Sequence, residues 1–165
     1  MHSPLQRLID ALREELQHYG AVLALLEPVV PAALRPGDPL NRPMAAAAAA
    51  GFADAARALL EARAARERCQ QQLAWACQQP ADWAPADLLQ QAPRAFRPLL
   101  GALFEENDSL QDRVRRHVHP GHPWLGQAGD PVLVARLLAP TVLPVPLPVA
   151  ATARPGLAGD HSLSA

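Results

Sequence analysis

Apolar residues recur every three or four positions in two separate stretches of the chain. In a helix this spacing, which averages about 3.5 residues, aligns the side chains along one stripe, the pattern of a coiled-coil seam. The first stripe consists of Leu5, Ile9, Leu12, Leu16, Tyr19, Leu23 and Leu26. The second consists of Phe96, Leu100, Leu103, Asn107, Leu110, Val114 and His117. Two such stripes predict long helices that pack lengthwise and whose main use is contact with other helices.

Capping residues and prolines delimit the predicted helices. The first runs over 4–27, where Ser3 is a suitable N-cap and Gln6 completes a capping box. The second runs over 44–79 and ends at a proline, and the third runs over 93–118. A short helix through Leu88 and Leu89 lies between the second and the third, and the proline-rich segment 28–43 is an irregular connection.

The second helix has a stripe with the same heptad spacing, and its small residues would allow close approach to a neighbouring helix. It consists of Phe52, Ala55, Leu59, Ala62, Arg66, Cys69, Leu73 and Ala76. The charged residues of this helix are interpreted as a solvated face, namely Arg57, Glu61, Arg63, Arg66, Glu67 and Arg68. The carboxylates of the other two long helices receive the same interpretation: Glu14, Glu15, Glu27, Glu105, Glu106, Asp108 and Asp112.

These elements predict an all-α fold, an elongated antiparallel three-helix bundle or coiled coil followed by a Pro-rich, largely disordered tail. The bundle domain is assigned to residues 1–118 and the flexible tail to 119–165, with a short helix expected at 130–139. The leucines expected in the bundle core are Leu12, Leu16, Leu59, Leu73, Leu103 and Leu110.

Composition narrows the function. The net charge of −1 offers no basic face for nucleic acid. The apolar run 132–150 contains Arg136 and several prolines, so we expect no membrane insertion. No signal peptide is recognised, and Cys69 and Cys77 are interpreted as two small apolar residues in a reducing cytosol, so we expect a cytoplasmic protein. No catalytic set is visible, so we expect neither an enzyme nor a cofactor.

Three imidazoles fall close together at His117, His119 and His122. Such a group is able to ligate zinc or nickel. However, His117 continues the stripe of the third helix, the other two flank a Pro-Gly break, and no Cys or carboxylate lies near them. The sequence therefore favours no metal site.

Asn107 occupies an apolar position of the second stripe. A buried Asn at such a position costs stability but fixes the register, because it must find a hydrogen-bond partner. One interpretation is a register-setting or partly exposed side chain. The other is a polar contact to a bound protein.

A surface for a partner is expected on the third helix, whose apolar surface is wider than one stripe, and on the apolar peptide that follows in the tail. This peptide is close enough in sequence to fold over the helix as a lid or to form part of the binding surface. The partner-binding residues we predict are Leu99, Leu100, Leu103, Phe104, Asn107, Leu110, Val114, Val132, Leu133, Leu137 and Leu138.

Three segments resemble the FlgN family of flagellar export chaperones. They are the opening helix with LIDALREEL at 8–16 and LALLE at 23–27, the run ALLEARAARER at 58–68, and LFEENDSLQDRV at 103–114. The last is similar to the family's late-helix pattern of Asn followed by an apolar residue three positions on. Together the segments span roughly residues 5–118.

The resemblance implies a small cytoplasmic type III export chaperone. Such proteins bind amphipathic helices of hook-filament junction proteins, prevent premature assembly and deliver the clients to the export gate. An apolar groove that covers the client's apolar face would accomplish this without a cofactor. The alternative is a self-associating coiled-coil structural or adaptor protein, a homo-oligomer without an export client.

Overall fold

The computed structural model describes residues 3–27, 41–79, 83–118 and 130–139. Within these ranges the chain forms five helices and no strand. They are α1 (Pro4–Leu26), α2 (Asn41–Ala76), α3 (Pro85–Gln91), α4 (Arg97–His117) and α5 (Pro131–Leu138). The prediction of an all-α chain is confirmed for these residues, and each helix that the sequence predicted is present.

The helix ends follow local chemistry. The Ser3 side chain accepts a hydrogen bond from the backbone N–H of Gln6 at 3.1 Å, as expected of an N-cap. The capping box is not completed, because the Gln6 amide donates instead to Asp10. The third predicted helix begins at Arg97, four residues later than expected, because residues 94–96 form a turn before it.

The direction of the long helices follows from residue pairs between them. Glu15 of α1 lies beside Arg66 of α2, whereas the later residue Leu25 lies beside the earlier residue Gly51, so α1 and α2 run in opposite directions. Glu27 of α1 pairs with Arg113 of α4, and the backbone of Leu12 receives a hydrogen bond from Asn107. Helices α1 and α4 therefore run in the same direction.

Two apolar clusters occupy opposite ends of this arrangement. The first joins the C-terminal part of α1, the N-terminal part of α2, the C-terminal part of α4 and helix α5. Its buried members include Tyr19, Val22, Phe52, Leu59, Leu110, Val114 and Leu137. The second joins the other ends of the same three long helices with α3. Its buried members include Leu8, Ile9, Leu12, Ala74, Trp83, Leu88, Leu100, Leu103 and Phe104.

The buried face of α2 differs from the predicted stripe. Both share Phe52 and Leu59, but Ala56, Arg63 and Gln70 are buried where Ala55, Ala62 and Cys69 were expected to define the face. Ala62 is also buried, Ala55 and Cys69 are half-buried, and Ala76 is exposed. Alanines occur on every side of this helix, so apolar spacing alone did not identify the face.

The core leucines expected from the sequence are largely confirmed. Leu12, Leu59, Leu103 and Leu110 are buried, and Leu16 and Leu73 are half-buried at the edges of the clusters. Of the irregular connection predicted over 28–43, residues 28–40 lie outside the described residues, and 41–43 belong to α2, so that part of the prediction is wrong. The tail at 119–129 and 140–165 also lies outside the described residues, as do His119 and His122. Of the expected tail, only 130–139 is described, and it contains α5.

Candidate functional site

A layer of polar side chains separates the two apolar clusters. Its members are Glu15, Arg63, Arg66, Gln70 and Asn107, and we call this set the polar layer. In each long helix these residues fall in sequence between residues of the two clusters. All are buried except Arg66, whose side chain is 11% exposed. The middle of the helix assembly is therefore polar although both ends are apolar.

Glu15 is the only acidic member of the layer, and it is 2% exposed. Its Oε2 accepts a hydrogen bond from Arg66 Nε at 2.9 Å, and its Oε1 lies 3.8 Å from Arg63 Nε. Arg66 also donates to the side-chain oxygen of Gln70, and Gln70 donates to the backbone carbonyl of Trp83. One carboxylate thus faces two guanidinium groups, and each buried charge has a partner, as burial requires.

Arg63 joins α1, α2 and α5. Its Nε and Nη2 donate to the Tyr19 hydroxyl at 3.0 and 2.7 Å, and its Nη1 donates to the carbonyl of Leu137 at 2.9 Å. The guanidinium carbon lies 5.1 Å from the Tyr19 ring centroid, within the range of a cation–π contact. Leu137 is in the last turn of α5, so the positive charge meets the negative end of that helix.

Burial raises the pKa of Tyr19 to about 12, and the nearby Arg63 charge only partly opposes this effect. Burial also raises the pKa of Glu67, again against the influence of Arg66. The pKa of the Cys69 thiol is raised for the same reason. A thiol with a raised pKa is a weak nucleophile, and Cys69 therefore lacks the signature of a reactive cysteine.

Helix α5 docks on the other helices through one face. Leu133 and Leu137, four residues apart, are buried in the first apolar cluster, whereas Val132 is 65% exposed. The Asp130 side chain caps the helix by accepting from the backbone N–H groups of Val132 and Leu133. The predicted peptide is thus a capped amphipathic helix, packed against the protein's own helices.

A cleft of about 260 Å³ opens beside the polar layer. Its walls come from α1, α2, α3 and α4, and combine apolar with polar groups. Its lining residues are Leu12, Glu15, Tyr19, Arg66, Gln70, Pro85, Phe104, Asn107, Asp108, Gln111 and Arg115. This volume suits a single side chain or a small molecule better than a large cofactor.

Asn107 and Gln111 have unfulfilled hydrogen-bonding capacity at this cleft. The Asn107 amide nitrogen donates to the carbonyls of Leu103 and Leu12 at 2.9 and 3.4 Å, but its Oδ1 has no partner. Gln111 Nε2 is also buried without a partner. Among the described residues these are the two buried side-chain atoms in this condition. Each such group costs about 1–3 kcal/mol, so their coincidence at one cleft needs an explanation.

The predicted partner-binding residues occupy different environments. Most of those on α4 are covered by the protein's own helices: Leu100, Leu103, Phe104, Asn107, Leu110 and Val114. Leu99 is 36% exposed beside them. In α5, Leu133 and Leu137 are buried, Leu138 is half-buried and Val132 is exposed. Leu110 and Val114 of α4 and Leu133 and Leu137 of α5 belong to the same first apolar cluster.

Sequence reasoning misassigned part of the polar layer. Glu15, Arg63 and Arg66 were placed on solvated faces, and this was wrong, because they neutralise one another inside the protein. The same interpretation is confirmed for Glu14 and Glu105, which are exposed, and for the other carboxylates of α4. A signal existed: continuing the four-three step from Phe52, Ala56 and Leu59 leads to Arg63, Arg66 and Gln70.

The described residues contain no group of three or more His, Cys, Asp and Glu side chains placed to hold a metal ion. His117 instead lies 3.6 Å from Glu27, next to the Glu27–Arg113 ion pair. In the same part of the chain, no helix combines the length and the apolar character needed to cross a membrane.

Comparison with known proteins gives no family assignment. No family model, no curated protein and no solved structure matches this chain.

Proposed function

We propose that this protein is a helical export chaperone that holds an amphipathic helix of a client protein. The proposed clients are the hook-filament junction proteins of the flagellum, which the chaperone would keep from assembling and deliver to the export gate of the type III system. In this proposal α1, α2 and α4 act as an antiparallel three-helix bundle in the cytoplasm, and no catalytic step or cofactor takes part.

The observation that most supports this proposal is the docking of α5. A short capped helix lies against the longer helices through two leucines four residues apart, and its last turn receives a hydrogen bond from Arg63. This is the arrangement of helix-in-groove recognition, formed within one chain. A surface that accepts α5 has the apolar character to accept a client helix of similar pattern.

A client helix at this surface would contact groups that the sequence singled out. Displacement of α5 would open the first apolar cluster, to which Leu110, Val114 and Val118 also belong. Arg63 would then offer a donor to a carbonyl at the end of the incoming helix. Helix α5 would act as a lid over part of the client surface.

Calorimetry and size-exclusion chromatography with purified protein test the proposal. A peptide covering the terminal helix of a hook-filament junction protein should bind and elute with the chain, because an apolar helix face is covered in the complex. A peptide of the same composition with its apolar residues rearranged should not bind. Failure of all junction-protein helices to bind, together with a stable homo-oligomer in sedimentation, would instead support the self-associating coiled-coil protein.

A further inference from the structure

We infer that the cleft beside the polar layer is a binding site for a primary carboxamide group. The inference begins with Asn107 Oδ1 and Gln111 Nε2, the buried side-chain atoms without a partner in the described structure. Both residues line the cleft. They lie four residues apart on α4 and so on the same face of that helix. No residue of α5 lines this cleft, although Tyr19 belongs both to its lining and to the first apolar cluster.

The two open atoms have complementary chemistry. Asn107 Oδ1 is an acceptor, and its orientation is fixed because the amide nitrogen donates to two carbonyls, those of Leu103 and Leu12. Gln111 Nε2 is a donor. A primary carboxamide carries N–H donors and a carbonyl acceptor on one small plane, so a single such group is able to satisfy both.

The other polar groups at the cleft favour a neutral ligand. The Arg66 donors are directed to Glu15 and Gln70, and Arg115 pairs with Asp112 at 3.2 Å. The carboxylates of Glu15 and Asp108 also line the cleft and oppose an anion. An acidic side chain would therefore find both arginines already paired and would be repelled by the two carboxylates.

The apolar part of the cleft suits the aliphatic stem of a side chain that ends in a carboxamide. Leu12, Phe104 and Pro85 line it together with the polar groups. A glutamine side chain combines a short apolar stem with a terminal carboxamide, and so does asparagine with a shorter stem. The shared ligand chemistry is thus the carboxamide of a glutamine or asparagine, either within a partner protein or as the free amino acid.

Nuclear magnetic resonance of the full, isotope-labelled chain tests this site through its side-chain amide signals. The probes are a capped Ala-Gln-Ala tripeptide, its Glu and Met counterparts, and free L-glutamine. Saturable shifts of the Asn107 and Gln111 side-chain amides are expected with the Gln tripeptide if the source is a protein, or with free glutamine if it is the amino acid. The Met counterpart should bind about thirtyfold more weakly, because it lacks both hydrogen bonds and each supplies roughly a factor of five.

Two variants separate recognition from folding. Gln111→Met keeps the side-chain length and removes the donor, so the preference for Gln over Met should fall to about fivefold, because only the hydrogen bond to Asn107 Oδ1 remains. Gln17→Met, at an exposed position of α1, is the matched control and should retain the full preference. The absence of saturable shifts with both Gln-containing probes would overturn the inference and leave the two amides solvated by water alone. Equal or tighter binding of the Glu tripeptide would also overturn it, in favour of an anion site at the arginines.

Discussion

At the scale of single residues, the most consequential group is the buried carboxylate of Glu15. It has two guanidinium neighbours, and Arg66 is the nearer, at 2.9 Å. A buried ion pair contributes little net stability compared with apolar residues of the same size, but removal of one partner leaves the other charge buried and unpaired. We therefore expect the polar layer to specify how α1 and α2 align.

Glu15→Gln should destabilise the protein by about 3–5 kcal/mol, because the guanidinium groups of the buried Arg63 and the partly buried Arg66 lose their counter-charge. Chemical denaturation followed by circular dichroism measures the change in the free energy of unfolding. Glu14→Gln, at the neighbouring exposed position, is the control and should change it by less than about 0.5 kcal/mol. Equal effects of the two substitutions would mean that Glu15 is not a buried partner of the arginines.

Tyr19 gives a pH-dependent readout of the same region. Its pKa is raised from 10.0 to about 12, chiefly by burial, so the unfolded chain loses this proton at lower pH than the folded one. The contribution of Tyr19 is therefore fully present below pH 10 and is lost as the pH rises toward 12. The expected loss is of order 2–3 kcal/mol.

Ultraviolet absorbance of the phenolate measures this directly, because Tyr19 is the only tyrosine of the chain. The folded protein should titrate well above the unfolded protein in denaturant. The alkaline loss of stability assigned to Tyr19 should be absent from Tyr19→Phe. A folded-state titration near the ordinary tyrosine value would show that the hydroxyl is accessible to solvent and that the contact with Arg63 is not maintained.

At the scale of helices, the sequence predicted which helices exist and roughly where they begin and end. It was less successful at predicting which face of each helix is buried. The four-three stripes of α1 and α4 succeeded because leucines mark one side of each helix. The stripe of α2 was less successful, with three of its eight positions buried, four half-buried and one exposed. Alanines are compatible with any face, and the deciding residues are Arg63 and Gln70. Their partners, Tyr19 and the Trp83 carbonyl, lie 44 and 13 residues away in sequence, and no local pattern reveals them.

Adjacent leucines at the start of α4 test the assigned face of that helix. Leu100 is fully buried in the second apolar cluster, whereas Leu99 is 36% exposed. Leu100→Ala should lower the free energy of unfolding by about 2–5 kcal/mol, because it leaves a cavity. Leu99→Ala should lower it by much less. Thermal and chemical unfolding of the two variants measures the difference. A larger effect of Leu99→Ala than of Leu100→Ala would mean that α4 is rotated about its axis and buries a different face.

At the scale of the whole molecule, α5 connects the fold to the proposed function. The sequence predicted this helix and left open whether it docks on the bundle or on a partner. The structure shows it docked, with Leu133 and Leu137 buried and the Leu137 carbonyl held by Arg63. The open amides of Asn107 and Gln111 could not be predicted from the sequence, because they depend on which carbonyls and walls surround them.

If α5 is a lid, its docking lowers the apparent affinity for a client, because the client-competent state is only partly populated. A substitution that weakens the packing of α5 against the other helices should then strengthen client binding. Leu137→Ala weakens it, since this side chain is fully buried, while Val132→Ala changes an exposed position of the same helix and is the matched control. Deletion of residues 128–165 is the more severe form of the same change and should act in the same direction.

The most direct test of the account is calorimetric titration of a junction-protein terminal helix into the full chain, Leu137→Ala and Val132→Ala. We expect binding to all three, with affinity increased roughly fivefold or more by Leu137→Ala and unchanged by Val132→Ala. Circular dichroism should show that both variants remain folded. Binding that Leu137→Ala weakens would make α5 part of the client surface rather than a lid. The absence of binding by all three proteins would contradict the central claim that this chain holds a client helix.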